Sequence, residues 1–201
     1  LLGVDERTFP IAAAYVARLP AGLASHPDCQ VKGSVLRGLL DSTPIAFETP
    51  GLPGELADLV RTPPLPSDWI PEVHFNALML AHEDRIPHDI FREWVYSRNR
   101  KLLSSNLYRM LFFLITPQRL FMGMANRWKA FRRGTELVMR DHGKNHANVE
   151  VRYPLRLYEL HALTNLTVAV TAALDAAGGQ DTSVRLLSHD DRTAQIAATW
   201  R

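Results

Sequence analysis

Apolar residues recur at helical spacing through the first two thirds of the chain, switch to alternation, and return once to helical spacing near the end. Ile11, Tyr15, Val16 and Leu19 predict a helix over 10–19. Pro10 opens it, since a first helical position needs no N–H donor, and Pro20 stops it. Val31, Val35, Leu36, Leu39 and Leu40 fall on one helical face and predict a second helix with Asp28 as its cap. A loop over 43–53 carries three prolines, and Leu56, Leu59 and Val60 mark a short helix beyond it. Pro63, Pro64 and Pro66 then form a stiff connector, because each fixes its own φ and pushes its predecessor toward extended backbone. None of these helices can build a core alone, so 1–68 reads as an irregular helical arm packed on the main body.

From residue 69 the helical signals sharpen. Val73, Ala77, Leu78 and Leu80 predict a helix running from Pro71 to Pro87, and Phe91, Trp94, Val95 and Leu102 share a face of the next, over 87–104. The run 107–115, continuously apolar from Met110 to Ile115, predicts the most buried helix of the chain. Thr116-Pro117 is a cap followed by a first-position proline and predicts a long helix ending at Gly134. The period then falls to two. Strands are expected over 135–140 and 148–153, then a helix over 157–177 with the stripe Leu160, Leu163, Leu166, Val170 and Leu174, then strands over 183–187 and 193–200. The fold class is α+β: an N-terminal helical bundle followed by a ββαββ unit forming a small antiparallel sheet. The chain is expected to be a single domain over 1–201, with the arm at 1–68, the bundle at 69–134 and the ββαββ unit at 135–201.

Composition narrows the class. A hydrophobic fraction of 46% and a charged fraction of 22% suit a globular domain. No apolar run approaches the ~18 to 20 residues that cross a bilayer. A single cysteine, Cys29, excludes an internal disulfide framework and a zinc site built on several thiolates. The apolar stretch 11–17 follows Asp5 and Glu6 rather than a cationic leader, so a cytoplasmic location is expected.

Charge is segregated. Between Arg92 and Gly134 lie ten cations and one acid, Glu93, a net of +9 in a chain whose total is +2, so the rest sums to −7. Helical placement puts Arg119, Lys129 and Arg133 opposite Leu120, Phe121, Met124, Trp128 and Phe131. Arg109, Arg119, Arg127, Lys129, Arg132 and Arg133 are therefore the candidates for binding an anion or an acidic partner. Interleaved aromatics, Trp94, Tyr108, Phe112, Phe121 and Trp128, together with Tyr158, are the candidates for lining an apolar ligand pocket.

Catalytic and metal patterns fail. His82 and His88 are six apart with Pro87 between them, which destroys the one-face geometry of a zinc-protease helix; His82, Glu83, Asp84, His88 and Asp89 read instead as a solvated helix end. There is no Gly-x-Ser-x-Gly elbow, phosphate-binding glycine loop or dinucleotide signature. The sequence predicts neither an enzyme nor a metal site.

The order of motifs adds a resemblance. Val31-Lys32-Gly33 leads a helix. Trp69-Ile70-Pro71, Phe91-x-x-Trp94, Leu107-Tyr108-Arg109 and Arg127-Trp128-x-x-Phe131-x-x-Gly134 follow. Paired strands come next, then a helix closing on Ala176-Ala177-Gly178-Gly179 and a last strand ending at Trp200. From Val31 onward this resembles a paralogous family of proteins of unknown function and about this length, expanded in myxobacteria. That family's ββαββ end is similar to haem-nitric-oxide-binding and vinyl-four-reductase sensor domains and, through these, to subunits of the TRAPP tethering complex. The resemblance implies a non-catalytic module that binds a small apolar molecule, a protein partner, or both. Three departures qualify it. Tyr96-Ser97-Arg98 lacks the Tyr-x-Ser-x-Arg spacing that holds haem propionates, the cysteine cluster of the vinyl-four-reductase group is absent, and Cys29 does not map onto the lipid-bearing cysteine of the TRAPP subunits. No cofactor is expected.

The expected function is a bacterial regulatory or scaffolding domain acting through a protein interface or a small apolar-ligand pocket, with an acidic protein or a second copy of the chain as partner. The alternative is an anion-binding adaptor for nucleic acid or anionic membrane, carried by the basic segment 92–134.

Overall fold

A computed structural model describes residues 3–41, 49–104 and 115–201. The helix expected over 107–115 falls outside these residues apart from Ile115, as do the candidates Tyr108, Arg109 and Phe112.

The elements in chain order are α1 (Pro10–Arg18), β1 (Gln30–Lys32), α2 (Gly33–Asp41), α3 (Gly54–Arg61), β2 (Trp69–Pro71), α4 (Glu72–Glu83) and α5 (His88–Ser104). They continue with α6 (Pro117–Met122), α7 (Met124–Phe131), β3 (Arg132–Arg133), β4 (Glu136–His142), β5 (His146–Arg152), α8 (Leu160–Ala176), β6 (Ser183–His189) and β7 (Thr193–Thr199). The fold is α+β, with helices before a ββαββ unit as the periodicity predicts.

The four long strands form one antiparallel sheet in the order β4-β5-β7-β6, with Val149 opposite Met139 on one side and Ile196 on the other. Alternation places Ala147, Val149, Val151, Ala194, Ile196 and Ala198 in the core. Helix α8 packs against β6 and lies along α5. Glu159 opens α8 by accepting the Ala162 N–H at 2.6 Å, and the apolar positions Leu163, Val170 and Leu174 turn inward.

Helix α4 runs through the middle of the helical layer: every residue except His74 is buried. It packs on α1, whose N-terminal N–H groups at Ile11 and Ala12 are capped by the Asp84 carboxylate at 3.0 and 3.1 Å. Tyr15 in α1 and Asn76 in α4 both donate to the Leu157 carbonyl, at 2.9 and 3.1 Å, which ties the helices to the segment entering α8.

Two expectations are corrected. The long helix over 117–134 is two helices and a strand. Thr116 caps α6 as its sequence predicts, accepting from the Arg119 N–H, but the helix stops at Gly123. There the Arg127 guanidinium folds back to donate to the Arg119 and Leu120 carbonyls at 3.4 and 3.2 Å; a Cβ on Gly123 would sit 2.0 Å from Arg127 Nη1. Gly134 does not end a helix either. Its φ of +74° turns the chain out of β3 into β4 where it crosses Asp28 and Cys29, and a Cβ would meet Cys29 Sγ at 2.7 Å. The second correction is a small antiparallel sheet, β2-β1-β3, in which Val31 stands opposite both Ile70 and Arg132. Its strands are two or three residues long and carry no period from which to read them.

Candidate functional site

Between α4, α5, α7 and α8 lies a cavity of about 170 Å³. Its walls are mostly apolar: Met79 of α4, Leu102 and Leu103 of α5, Met124 and Trp128 of α7, and Val170 of α8 all line it. Ala162, Ala169 and Ala173 line it from α8, and their small side chains leave the space that larger residues would fill. The polar members of the lining are Asn76, Arg98, Asn99, Arg127, Arg132, Tyr158 and Asn165. Among the described lining residues there are thus three arginines and no acid.

Arg132 enters from β3 and reaches inward. Its Nε donates to Glu72 Oε1 at 2.7 Å, its guanidinium lies over Trp128 at 4.6 Å from the ring centroid, and the Tyr158 hydroxyl donates to the same Glu72 oxygen. Burial pushes the Glu72 carboxyl above the usual carboxylate range, against the opposing pull of Arg132 and Tyr158. For Arg132, burial works to lower the pKa, and the neighbouring Tyr158 and Glu72 outweigh it, so the guanidinium is held firmly as a cation. Trp128 is anchored by a 3.0 Å hydrogen bond from its Nε1 to Thr135 Oγ1.

The structure divides the sequence candidates into three groups. Trp128, Tyr158, Arg127 and Arg132 meet on the cavity. Arg119, Lys129 and Arg133 are exposed, with Arg133 lying 3.9 Å over the Trp69 ring. Trp94 and Phe121 are buried but are not among the cavity's lining residues. Trp94 packs edge-on to His82 at 4.7 Å, and Phe121 stacks on Trp200 at 5.3 Å. Two basic candidates are corrected: Arg132 pairs with buried Glu72 rather than facing an external anion, and Arg127 is spent on the carbonyls of its own helix pair.

The acidic group before Pro87 is corrected too. His88 and Asp89 are exposed as expected, but His82 and Glu83 are buried, and Glu83 meets His161 Nδ1 at 2.8 Å and accepts from Asn165 Nδ2 at 3.2 Å. Sequence reading also passed over Arg98 and Glu72. The signal for Arg98 was present, since it follows Phe91, Trp94 and Val95 at helical spacing and so places a cation inside an apolar stripe. Glu72 gave no such signal, because a carboxylate in the first turn of a helix ordinarily serves the helix dipole at the surface.

The resemblance to haem-binding sensor domains makes haem a group to test against this lining. Neither histidine nor cysteine lines the cavity among the described residues, and the sequence of 105–114 contains neither. The Tyr158 hydroxyl is committed to Glu72. A cavity of about 170 Å³ is close to one that holds a benzene ring, about 150 Å³, and a tetrapyrrole does not fit it. The described residues of this lining do not fit haem.

No described helix is long and apolar enough to cross a membrane. No protein-family model and no curated protein matches the chain. Among solved structures it is similar to the Fe(II) unliganded H-NOX protein from K. algicida, with a TM-score of 0.55 and 10% identity over 85% of this chain and 96% of that one. It is also similar to an oxygen-binding H-NOX domain related to soluble guanylate cyclases, with a TM-score of 0.53 and 11% identity over 84% of this chain and 90% of that one. At such identities the likeness is one of architecture, and the chain has an H-NOX-like α+β fold.

Proposed function

We propose that the chain is a non-catalytic regulatory or scaffolding domain of the sensor type, which binds a small molecule with an apolar body in the cavity between α4, α5, α7 and α8. The observation that carries this reading is the cavity itself: apolar walls from four elements with a few polar groups converging on one space, the usual make-up of a small-ligand site. The H-NOX-like fold supports it, and the lining departs from a haem pocket in the way that a different ligand requires. Membership of the myxobacterial paralogous family belongs to the same proposal.

Occupancy is passed on through a protein interface, with an acidic surface or a second copy of the chain as partner. The exposed Arg119, Lys129 and Arg133 support that choice. An adaptor for nucleic acid or anionic membrane is less favoured, because Arg127 and Arg132 turn inward from the basic segment that would have to carry it.

The test is thermal unfolding with a panel of small apolar molecules, run on the parent protein and on Ala169→Phe, which fills the cavity from α8. A ligand at a hundred times its Kd raises stability by about 2.7 kcal/mol, so at least one compound should raise the parent's Tm and leave that of Ala169→Phe unmoved. Hemin in the same assay should give no stoichiometric Soret band. Equal behaviour of parent and variant across the panel overturns the reading.

A further inference from the structure

The charges around the cavity do not balance. Arg98 is only 6% exposed, yet its Nε and Nη1 have no hydrogen-bond partner among the described residues. Its guanidinium lies 5.5 Å from the Trp94 ring centroid, a contact that leaves those N–H groups unsatisfied. Buried guanidinium groups ordinarily satisfy their donors, since a desolvated cation without a partner is strongly unfavourable.

Nearby groups do not supply the missing partner. Burial, with Arg132 adding to it, lowers the pKa of Arg98 only to about 10, so it is charged at neutral pH. Arg132 brings a second positive charge, and Glu72 is engaged with Arg132 and Tyr158 through Oε1, while its Oε2 is buried without a hydrogen-bond partner among the described residues. Ionised, Glu72 leaves itself, Arg98 and Arg132 at a net +1; protonated, it leaves them at +2. Arg127 on the same lining adds one more positive charge in either state. His82 does not change the count, because burial and then Arg98 depress its pKa to about 4 and hold it neutral. Glu83 meets His161 and Asn165. Arg98 thus has no anion paired with it among the described residues, and it stands on a lining with apolar walls.

We propose that the ligand of this cavity is a small monocarboxylic acid whose carboxylate pairs with Arg98 and whose apolar tail fills the space beside Leu102, Met124 and Val170. The inference rests on the ligand-cavity reading above and specifies its chemistry. The volume matches a body of about six carbons, by comparison with a cavity of about 150 Å³ that takes benzene. Arginine suits this role because it stays charged when buried and its planar fork matches a carboxylate.

Calorimetric titration with hexanoate, hexanol and hexylammonium tests it, since the three share a tail and differ in the head. Hexanoate should bind the parent protein about tenfold or more tighter than hexanol, the gain typical of a charge-assisted hydrogen bond, and hexylammonium should bind worst. In Arg98→Met the advantage of hexanoate over hexanol should disappear while hexanol binding persists. The comparison within the parent protein needs no variant to fold. Hexanol binding as tightly as hexanoate overturns the carboxylate and leaves the apolar cavity standing. Binding of hexanoate that Ala169→Phe does not weaken places the ligand elsewhere and overturns both readings.

Discussion

Glu150 and Arg98 are both charged, both 6% exposed, and both carried by a regular element, yet their surroundings are opposite. Glu150, on β5, is completely served. Arg140 donates to it through Nε at 3.1 Å and Nη2 at 2.7 Å, Arg152 donates at 2.6 Å, and the Gln195 amide donates from the adjoining strand β7. Those hydrogen bonds from Arg140 and Arg152 hold its carboxyl down to about 2. Arg98, on α5, has an aromatic neighbour and two unpartnered nitrogens. A satisfied cluster on a sheet face is architecture, because the buried Glu150 carboxylate relies on Arg140, Arg152 and Gln195 for its hydrogen bonds. An unsatisfied cation lining an apolar cavity contributes nothing of that kind to the folded chain, and its use lies in what it can still bind.

Removal of individual members should separate the two clusters and their surroundings, beginning with the largest effect. Glu72→Ala takes from Arg132 the carboxylate it pairs with and should lower unfolding free energy by about 3–5 kcal/mol, as measured for other broken buried pairs; chemical denaturation reads this directly. Trp128→Ala, which deletes a cavity wall and the hydrogen bond to Thr135, should fall in the range of about 3–5 kcal/mol for a buried aromatic. A loss below about 1 kcal/mol in either case would contradict a packed, ion-paired wall on that side of the cavity.

The Glu150 cluster should announce itself through pH. Its folded pKa lies below the unfolded value of about 4.3, so its contribution is complete above that value and is lost as pH falls toward about 2. A plot of Tm against pH should therefore be flatter over this acid window for Glu150→Gln than for the parent; parallel curves would mean that the cluster does not form. Arg98→Met should behave unlike either pair. With no hydrogen-bond partner to orphan, ligand-free stability should stay within about 1 kcal/mol of the parent or rise, and a large loss would show Arg98 to be structural. The smallest effect belongs to the surface. Changing Arg119, Lys129 and Arg133 together to glutamine should alter stability by no more than about 0.5 kcal/mol per site, while binding to an acidic partner is lost in a pull-down with that partner.

The same contrast separates what could be read along the chain from what could not. Strands β4 to β7 and helix α8 were legible because each is long enough to repeat its period, and the repeat reports which face meets the core. The break at Gly123 was not, because it depends on the Arg127 side chain folding back onto two carbonyls. The small β2-β1-β3 sheet was not, because three segments drawn from residues 30, 70 and 132 meet only through long-range pairing. Of the candidate site, Trp128 and Tyr158 were picked out for their aromatic rings, and the structure does bring them to one cavity. Arg98 looked like one more cation in a basic segment.

By itself the sequence determined that a helical part precedes a ββαββ unit, the alternation that β5 and β7 bury and the excess of positive charge between residues 92 and 134, since periodicity and composition are local properties. Which of those charges find partners is not local. Arg132 meets Glu72 across 60 positions, Glu83 meets Asn165 across 82, and Arg98 is left without either. Only the tertiary structure could decide that, because the pairing of buried charges is fixed by which elements pack together and not by the spacing of residues along any one of them.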